Sequence, residues 1–142
     1  MGDRPAVMTL EMERRATMTV KILVIDDSTM VRQQVSRALV ASGFAVVEAC
    51  DGAEAMLKLA ASPDVKLVIC DVNMPRMDGI QFLEGIGAGG GAPRVPVVML
   101  TTEGQPDLIQ RAKALGAKGW IVKPFKPELL VATARKLASV AA

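Results

Sequence analysis

KLVICDVNMPRMDG, at residues 66–79, joins a short apolar run to the start of a helix through a loop that begins at Asp71 and ends at Asp78. The run Lys66–Cys70 is brief and rich in aliphatic residues, as buried parallel strands are. Asp78 is a helix-capping residue type, and the apolar spacing after it predicts a helix that ends near Ile86. The segment therefore predicts a strand–loop–helix unit with Asp71 directly after the strand.

Further units of the same kind precede and follow this one along the chain. The other short apolar runs are Val20–Ile25, Ala45–Ala49, Val95–Leu100 and Trp120–Val122. Helical spacing predicts helices from Ser28 to Gly43, after Asp51, near Pro106 and near Lys126. Strict alternation is typical of an α/β fold, in which a doubly wound five-stranded parallel sheet carries helices on both faces. We adopt the strand order 2-1-3-4-5 from the flavodoxin-like class of such sheets.

The composition limits the class of protein. Of 142 residues, 51% are hydrophobic and 23% are charged, which suits one domain with its own core. A formal net charge of +2 is too small to make nucleic acid the main partner. The chain shows neither the ~20-residue apolar run of a membrane helix nor a secretion signal, so we expect a cytoplasmic protein. We expect residues 1–19 to form a loose extension, residues 20–142 to form the domain, and Cys50 and Cys70 to be buried thiols.

Histidine is absent from the sequence. Without an imidazole, the chain cannot use a Ser-His or Cys-His nucleophile or a histidine-ligated metal. It also cannot carry a phosphohistidine itself. Any chemistry must rely on carboxylates, hydroxyls, lysine and a hard metal ion.

Polar residues directly follow four of the five predicted strands. In open α/β sheets, ligands bind beyond the carboxyl ends of the strands. A single aspartate there is usually a turn or helix-capping residue, but the joint pattern predicts a site. The residues concerned are Asp26, Asp27, Asp71, Thr101 and Lys123.

The charges of these residues indicate a metal ion. Three carboxylates held close together repel one another, and a divalent cation relieves that repulsion. Oxygen ligands alone favour Mg²⁺, or Mn²⁺, over zinc. Because Mg²⁺ commonly takes phosphate oxygens as further ligands, the pocket is suited to a phosphoryl group.

The same reasoning assigns a role to each residue. Asp71 is the expected nucleophile and phosphoacceptor. Lys123 and the hydroxyl of Thr101 are expected to contact phosphoryl oxygens. The expected metal ligands are Asp27, Asp71 and the backbone carbonyl of Asn73, with Asp26 acting through a water molecule.

Four motifs in order resemble the receiver domains of two-component response regulators, and most of all the stand-alone chemotaxis regulators of the CheY type. The motifs are IDDS at 25–28, DVNMPRMDG at 71–79, LTTEG at 100–104 and KPF at 123–125. The resemblance extends from Val20 to about Val140. It implies a partner histidine kinase as phosphodonor, and a protein that acts on no substrate but its own phosphoryl group.

The resemblance also implies how such a domain switches. It implies a cis peptide bond before Pro124 and a switch formed by Thr101 and Trp120, although the family commonly has Tyr or Phe at the latter position. The alternative for Trp120 is a partly exposed side chain that contacts a partner. Asn73 and Glu103 are implied to tune the lifetime of the phosphoryl group, which we expect to be short.

Output is implied to pass to another protein through the face formed by the fourth helix, the fifth strand and the fifth helix. The unphosphorylated protein is expected to be a monomer.

Three alternatives are weighed against this hypothesis. The run Gly85–Gly91 matches G-x-G-x-x-G, but it follows a helix instead of opening one, which favours a loop over a dinucleotide site. A Mg²⁺-dependent phosphohydrolase would use similar chemistry, but the Asp26-Asp27-Ser28 order differs from the D-x-D of dehalogenase-type phosphatases. The third alternative is a binding module that is never phosphorylated, although such domains usually lack one of the acids or the lysine.

Overall fold

The computed structural model describes residues 19–74, 77–87, 95–102 and 106–141. Strands and helices alternate throughout. The strands are β1 (Lys21–Ile25), β2 (Ala45–Ala49), β3 (Val65–Asp71), β4 (Val97–Thr101) and β5 (Gly119–Val122). The helices are α1 (Thr29–Ala41), α2 (Gly52–Ala61), α3 (Gly79–Ile86), α4 (Pro106–Ala114) and α5 (Pro127–Ala141).

The strands form one parallel sheet in the order β2-β1-β3-β4-β5. The predicted fold class and strand order are therefore confirmed. The register places Ile25 beside Cys70, so Asp26, directly after β1, lies beside Asp71, the last residue of β3. Thr101 pairs with Val122 at the same edge.

The core has two layers, one on each face of the sheet. Alternate residues of β3 supply both layers, with Val68 and Cys70 in one and Leu67 and Ile69 in the other. Helices α2, α3 and α4 cover the first layer through residues such as Leu59, Phe82 and Ala112. Helices α1 and α5 cover the second through residues such as Leu39 and Leu130. Burial of both faces explains why the strands are apolar throughout instead of alternating.

The helix starts follow the predicted capping residues. The side chains of Ser28, Asp51 and Asp78 accept backbone N–H groups of the first turns of α1, α2 and α3. Asp78 and Gln81 form a reciprocal capping box. Gly43, after α1, has a φ of 96°, in the left-handed region that glycine adopts without strain. The three N-caps therefore fix where the loops that follow β1, β2 and β3 end.

Several details differ from the sequence-based expectations. Cys50 is half-buried, unlike Cys70, because it follows the edge strand β2, which has a neighbour on one side only. Strand β4 begins at Val97, two residues later than expected.

Some predictions fall outside the described residues. The extension at residues 1–19 does so except for Thr19, and the glycine-rich run does so after Gly87. Within the described part of the chain, none of the helices combines the length and the hydropathy needed to cross a bilayer.

Candidate metal centre at the carboxyl edge of the sheet

Three carboxylates meet where β1 and β3 end. One carboxylate oxygen from each of Asp26, Asp27 and Asp71 lies within 4.8 Å of the other two. Asp26 and Asp71 are buried, whereas Asp27 is exposed. The pairing of β1 with β3 brings these residues together across the chain, as the strand-end argument predicted.

Lys123, after β5, approaches the two buried acids of this cluster. Its Nζ lies 3.0 Å from Oδ2 of Asp26 and 3.2 Å from Oδ1 of Asp71. The lysine side chain is only 15% exposed, and its backbone N–H donates to the carbonyl of Thr101 at 2.6 Å. The Lys123–Pro124 peptide bond is cis. The ammonium therefore lies against the carboxylates at the ends of two adjacent strands, β1 and β3.

Burial and neighbouring charge shift the protonation equilibria of the site. Burial raises the pKa of Asp71, and the negative charge of Asp26 raises it further, while Lys123 opposes both effects. Burial by itself lowers the pKa of Lys123, but its hydrogen bond and charge interaction with Asp26, together with Asp71, outweigh that and raise the pKa. The lysine therefore remains protonated, and the environment of Asp71 disfavours its own negative charge.

The buried Asp26 is hydrogen-bonded through its backbone as well as its side chain. Its N–H donates to the carbonyl of Ala49 at 3.1 Å, and its Oδ1 accepts the N–H of Ser28 at 2.9 Å. Its carbonyl accepts Nη1 of Arg32 at 2.7 Å, and its Oδ2 faces Lys123. This residue is thus held in one orientation. Sequence reasoning missed Arg32, because no motif marks an arginine in the middle of an amphipathic helix.

The remaining predicted residues lie at different depths around the carboxylates. Thr101 is buried at the end of β4. Asn73 is exposed two residues after Asp71, and its backbone N–H donates to the Asp71 carboxylate. Glu103 falls outside the described residues.

Trp120 lies on β5 and packs against the core layer beneath α2, α3 and α4. Its Nε1 is buried and, among the described residues, has no hydrogen-bond partner. The side chain is half-buried, which is compatible with both interpretations of this tryptophan.

Gly79 allows the loop after β3 to fold back onto its own strand. A Cβ at this position would lie 2.4 Å from the carbonyl oxygen of Asp71, a contact with backbone that cannot move aside. The N–H of Gly79 donates to the carbonyl of Val72 at 2.9 Å. The loop after the central carboxylate therefore requires a residue without a side chain at its end.

The donor set suits a hard divalent cation. The clustered ligand atoms are carboxylate oxygens, close enough to share one ion directly or through a water molecule. The described residues therefore fit Mg²⁺ or Mn²⁺ better than zinc, which prefers nitrogen and sulfur ligands. The carboxylate of Asp71 has a lysine ammonium 3.2 Å away, an arrangement that can neutralise negative charge brought to that carboxylate.

Comparisons with known proteins agree with this arrangement. A family model, described as the response regulator receiver domain, matches residues 22–135. Chemotaxis protein CheY1 of Helicobacter pylori is 39% identical over 111 residues, which are 78% of this chain and 90% of that protein. Chemotaxis protein CheY of Treponema pallidum is 41% identical over 107 residues, covering 74% of this chain and 73% of that protein. The solved structure of the chemotaxis response regulator CheY4 of Vibrio cholerae matches with a TM-score of 0.76 at 42% identity, covering 84% of this chain and 99% of that chain.

Proposed function

This chain belongs to the response regulator receiver domain family, and we propose that it is a Mg²⁺-dependent phosphoryl switch of the CheY type. In this proposal, a partner histidine kinase donates a phosphoryl group to Asp71. The observation that carries the proposal is the position of Lys123, whose ammonium contacts Asp71 and Asp26 at once. A lysine in that position can neutralise charge on a phosphoryl group as it arrives at Asp71.

The transfer follows from the nucleophile and its surroundings. A carboxylate oxygen of Asp71 attacks the phosphorus of the donor phosphohistidine, and a new O–P bond forms as the N–P bond breaks. The electron pair of the broken bond leaves with the imidazole of the donor. Lys123 and the hydroxyl of Thr101 contact the phosphoryl oxygens of the product.

The acidic residues hold the cation for this step. Asp27, Asp71 and the carbonyl of Asn73 are the proposed direct ligands, and Asp26 acts through water. Mg²⁺, when bound, supplies positive charge that offsets the repulsion between carboxylates and phosphoryl oxygens. The clustering of the three carboxylates supports this assignment.

In this proposal, phosphorylation of Asp71 is the signal itself and does not form an intermediate in the turnover of a substrate. We propose that the domain, residues 20–142 without the extension at 1–19, catalyses only its own phosphorylation and dephosphorylation. We place it in the cytoplasm, where kinases have access to ATP, as a monomer before phosphorylation.

The output surface we propose is the face formed by α4, β5 and α5. Val122 is 46% exposed and Leu129 is 53% exposed, so both offer apolar area to a partner protein. Thr101 and Trp120 would link this face to the phosphoryl group.

Phosphotransfer from a kinase tests the proposal. A chemotaxis-type histidine kinase is labelled with ATP that is radioactive at its γ-phosphate, freed of nucleotide and mixed with the purified protein and Mg²⁺. We expect the label to move from the kinase to this chain within the time of mixing, and to stay on the kinase with Asp71→Asn or with EDTA. Label that reaches Asp71→Asn as well would contradict the assignment of the acceptor.

A further inference from the structure

Arg32 connects α1, β2 and the acidic loop after β1. Its Nη1 donates to the carbonyl oxygen of Asp26 at 2.7 Å, and its Nε donates to Oε1 of Glu48 at 2.9 Å. The arginine side chain is 17% exposed, while that of Glu48 is 41% exposed. The planar guanidinium holds both contacts in a set geometry.

The carbonyl that Arg32 contacts belongs to the peptide unit between Asp26 and Asp27. The orientation of this peptide unit sets the position of the Asp27 backbone. It therefore also sets the positions that the exposed carboxylate of Asp27 can occupy. The N–H of Asp26 is already fixed to Ala49 of β2. Arg32 fixes the other side of the same residue, so the backbone of Asp26 is held by both its N–H and its carbonyl.

Glu48 fixes Arg32 in turn. It lies on β2 beside Val24 of β1, one residue before Ala49. Strand β2 therefore restrains the backbone of Asp26 in two ways. The carbonyl of Ala49 accepts its N–H, and the Glu48–Arg32 pair contacts its carbonyl.

We propose that Arg32 is a positioning residue for the metal site, which orients the Asp26–Asp27 peptide so that both carboxylates face Asp71. The inference rests on the proposed function, because the ligand it serves is Mg²⁺. Residues that orient ligands without touching the metal commonly change its affinity by about tenfold or more when they are substituted.

The sign of the effect separates positioning from simple charge. Arg32 carries a positive charge near a cation site, so its removal would tighten Mg²⁺ binding if only charge mattered. Positioning predicts the opposite, because the carboxylates lose their common orientation. The two effects therefore move the dissociation constant in different directions.

The experiment measures the Mg²⁺ dissociation constant of the whole chain by isothermal titration calorimetry. We expect Arg32→Gln to raise the dissociation constant about tenfold. Arg32→Lys keeps the charge but cannot make both guanidinium contacts at once, so we expect it to raise the constant less. Arg37→Gln removes an exposed arginine from the same helix and is the matched charge control. We expect that control to leave the constant unchanged or slightly lower.

A second readout needs no metal. In the metal-free protein, we expect Arg32→Gln to speed hydrogen exchange at the N–H of Ser28, which donates to Asp26, while the N–H of Val72 exchanges as before. If Arg32→Gln does not fold, Glu48→Asp takes its place. It keeps the negative charge but shortens the side chain that holds Arg32, so a rise in the dissociation constant of about threefold would report lost positioning.

An unchanged or lowered constant in Arg32→Gln, or in Glu48→Asp where that variant replaces it, would overturn the inference. So would unchanged exchange at Ser28. A wild-type protein that binds no Mg²⁺ would instead overturn the proposed function, and the exchange measurement would still decide whether Arg32 holds the loop.

Discussion

Lys123 and Asp26 are 97 residues apart in the chain, yet the ammonium Nζ of the first lies 3.0 Å from the carboxylate Oδ2 of the second. Asp26 is completely buried, so its charge depends on this partner for compensation. The same ammonium lies 3.2 Å from Asp71. One lysine therefore partly neutralises the site, and the remaining negative charge is available to a cation.

Replacing Lys123 with Met should weaken the fold and strengthen metal binding. Loss of the ammonium leaves two buried carboxylates without their cation, at a cost of about 2–3 kcal/mol in the free energy of unfolding. The same loss makes the site more negative, so the Mg²⁺ dissociation constant should fall severalfold. Chemical denaturation and calorimetric titration measure the two effects.

Lys118→Met is the control for the loss of a lysine charge. Lys118 is exposed just before β5, and its substitution should change stability by less than about 0.5 kcal/mol. Weaker Mg²⁺ binding in Lys123→Met would show that the lysine orients the carboxylates and does not compete with the cation.

Replacing Asp71 with Asn should stabilise the metal-free protein at neutral pH. The folded-state pKa of Asp71 is raised above its unfolded value by burial and by Asp26, so the fold disfavours the charged form. The wild type therefore loses stability as the pH rises from the unfolded pKa of about 4 through the folded pKa. Asparagine lacks this dependence, and we expect the melting temperature of the variant to be higher by a few degrees at pH 7.

The pH dependence tests this explanation. In EDTA, the melting temperatures of the two proteins should converge as the pH falls toward 4. Near that pH, Asp71 is protonated in the folded state and becomes protonated in the unfolded state as well. Added Mg²⁺ should also reduce the difference in melting temperature between the two proteins, because it stabilises the wild type by binding its folded state. A difference in melting temperature that stays constant from pH 4 to pH 7 would mean that charge on Asp71 is not its cause.

Much of the architecture could be predicted from short-range patterns. The capping residues Ser28, Asp51 and Asp78 each accept the N–H of the residue three positions later. Each helix start can therefore be recognised from a few neighbouring residues of the sequence. The meeting of Asp26 with Asp71 could be expected from a general rule about strand ends before the register of β1 against β3 was known.

Other features depend on geometry that the sequence does not display. The Arg32–Asp26–Glu48 contacts require the rotation of α1 and the register of β2 against β1, neither of which has a local signal. The half-buried state of Cys50 follows from the position of β2 at the sheet edge, and no residue of β2 itself marks that strand as an edge. The close approach of Gly79 to Asp71 is visible in the sequence only as a glycine after a helix cap.

Replacing Gly79 with Ala should damage both stability and the site. The new Cβ would overlap the Asp71 carbonyl, and the displaced backbone belongs to the proposed phosphoacceptor. We expect a loss of at least about 2 kcal/mol and a slower reaction with small phosphodonors. Denaturation and a phosphorylation time course measure these effects.

Gly85→Ala is the matched control on the same helix. A Cβ there would meet only the flexible end of Met56 at 3.3 Å. Since alanine favours helix over glycine by about 0.5–1 kcal/mol, this variant should be as stable as the wild type or more so. Equal behaviour of the two variants would refute the role given to Gly79.

The phosphorylated form should be short-lived. Asn73 and Glu103 occupy the two positions that the family resemblance associates with fast loss of the phosphoryl group. After the phosphodonor is removed, we expect dephosphorylation in minutes or less at neutral pH, followed as the decay of phosphorylated mass. A half-life of hours would contradict this expectation, even with Asp71 confirmed as the acceptor.

The most direct test of the account is the intact mass of the protein after incubation with Mg²⁺ and acetyl phosphate. The account predicts a mass increase of one phosphoryl group in the wild type and none in Asp71→Asn or in EDTA. No increase in the wild type, together with no change in Trp120 fluorescence on addition of beryllofluoride, would contradict it and favour a binding module that is never phosphorylated.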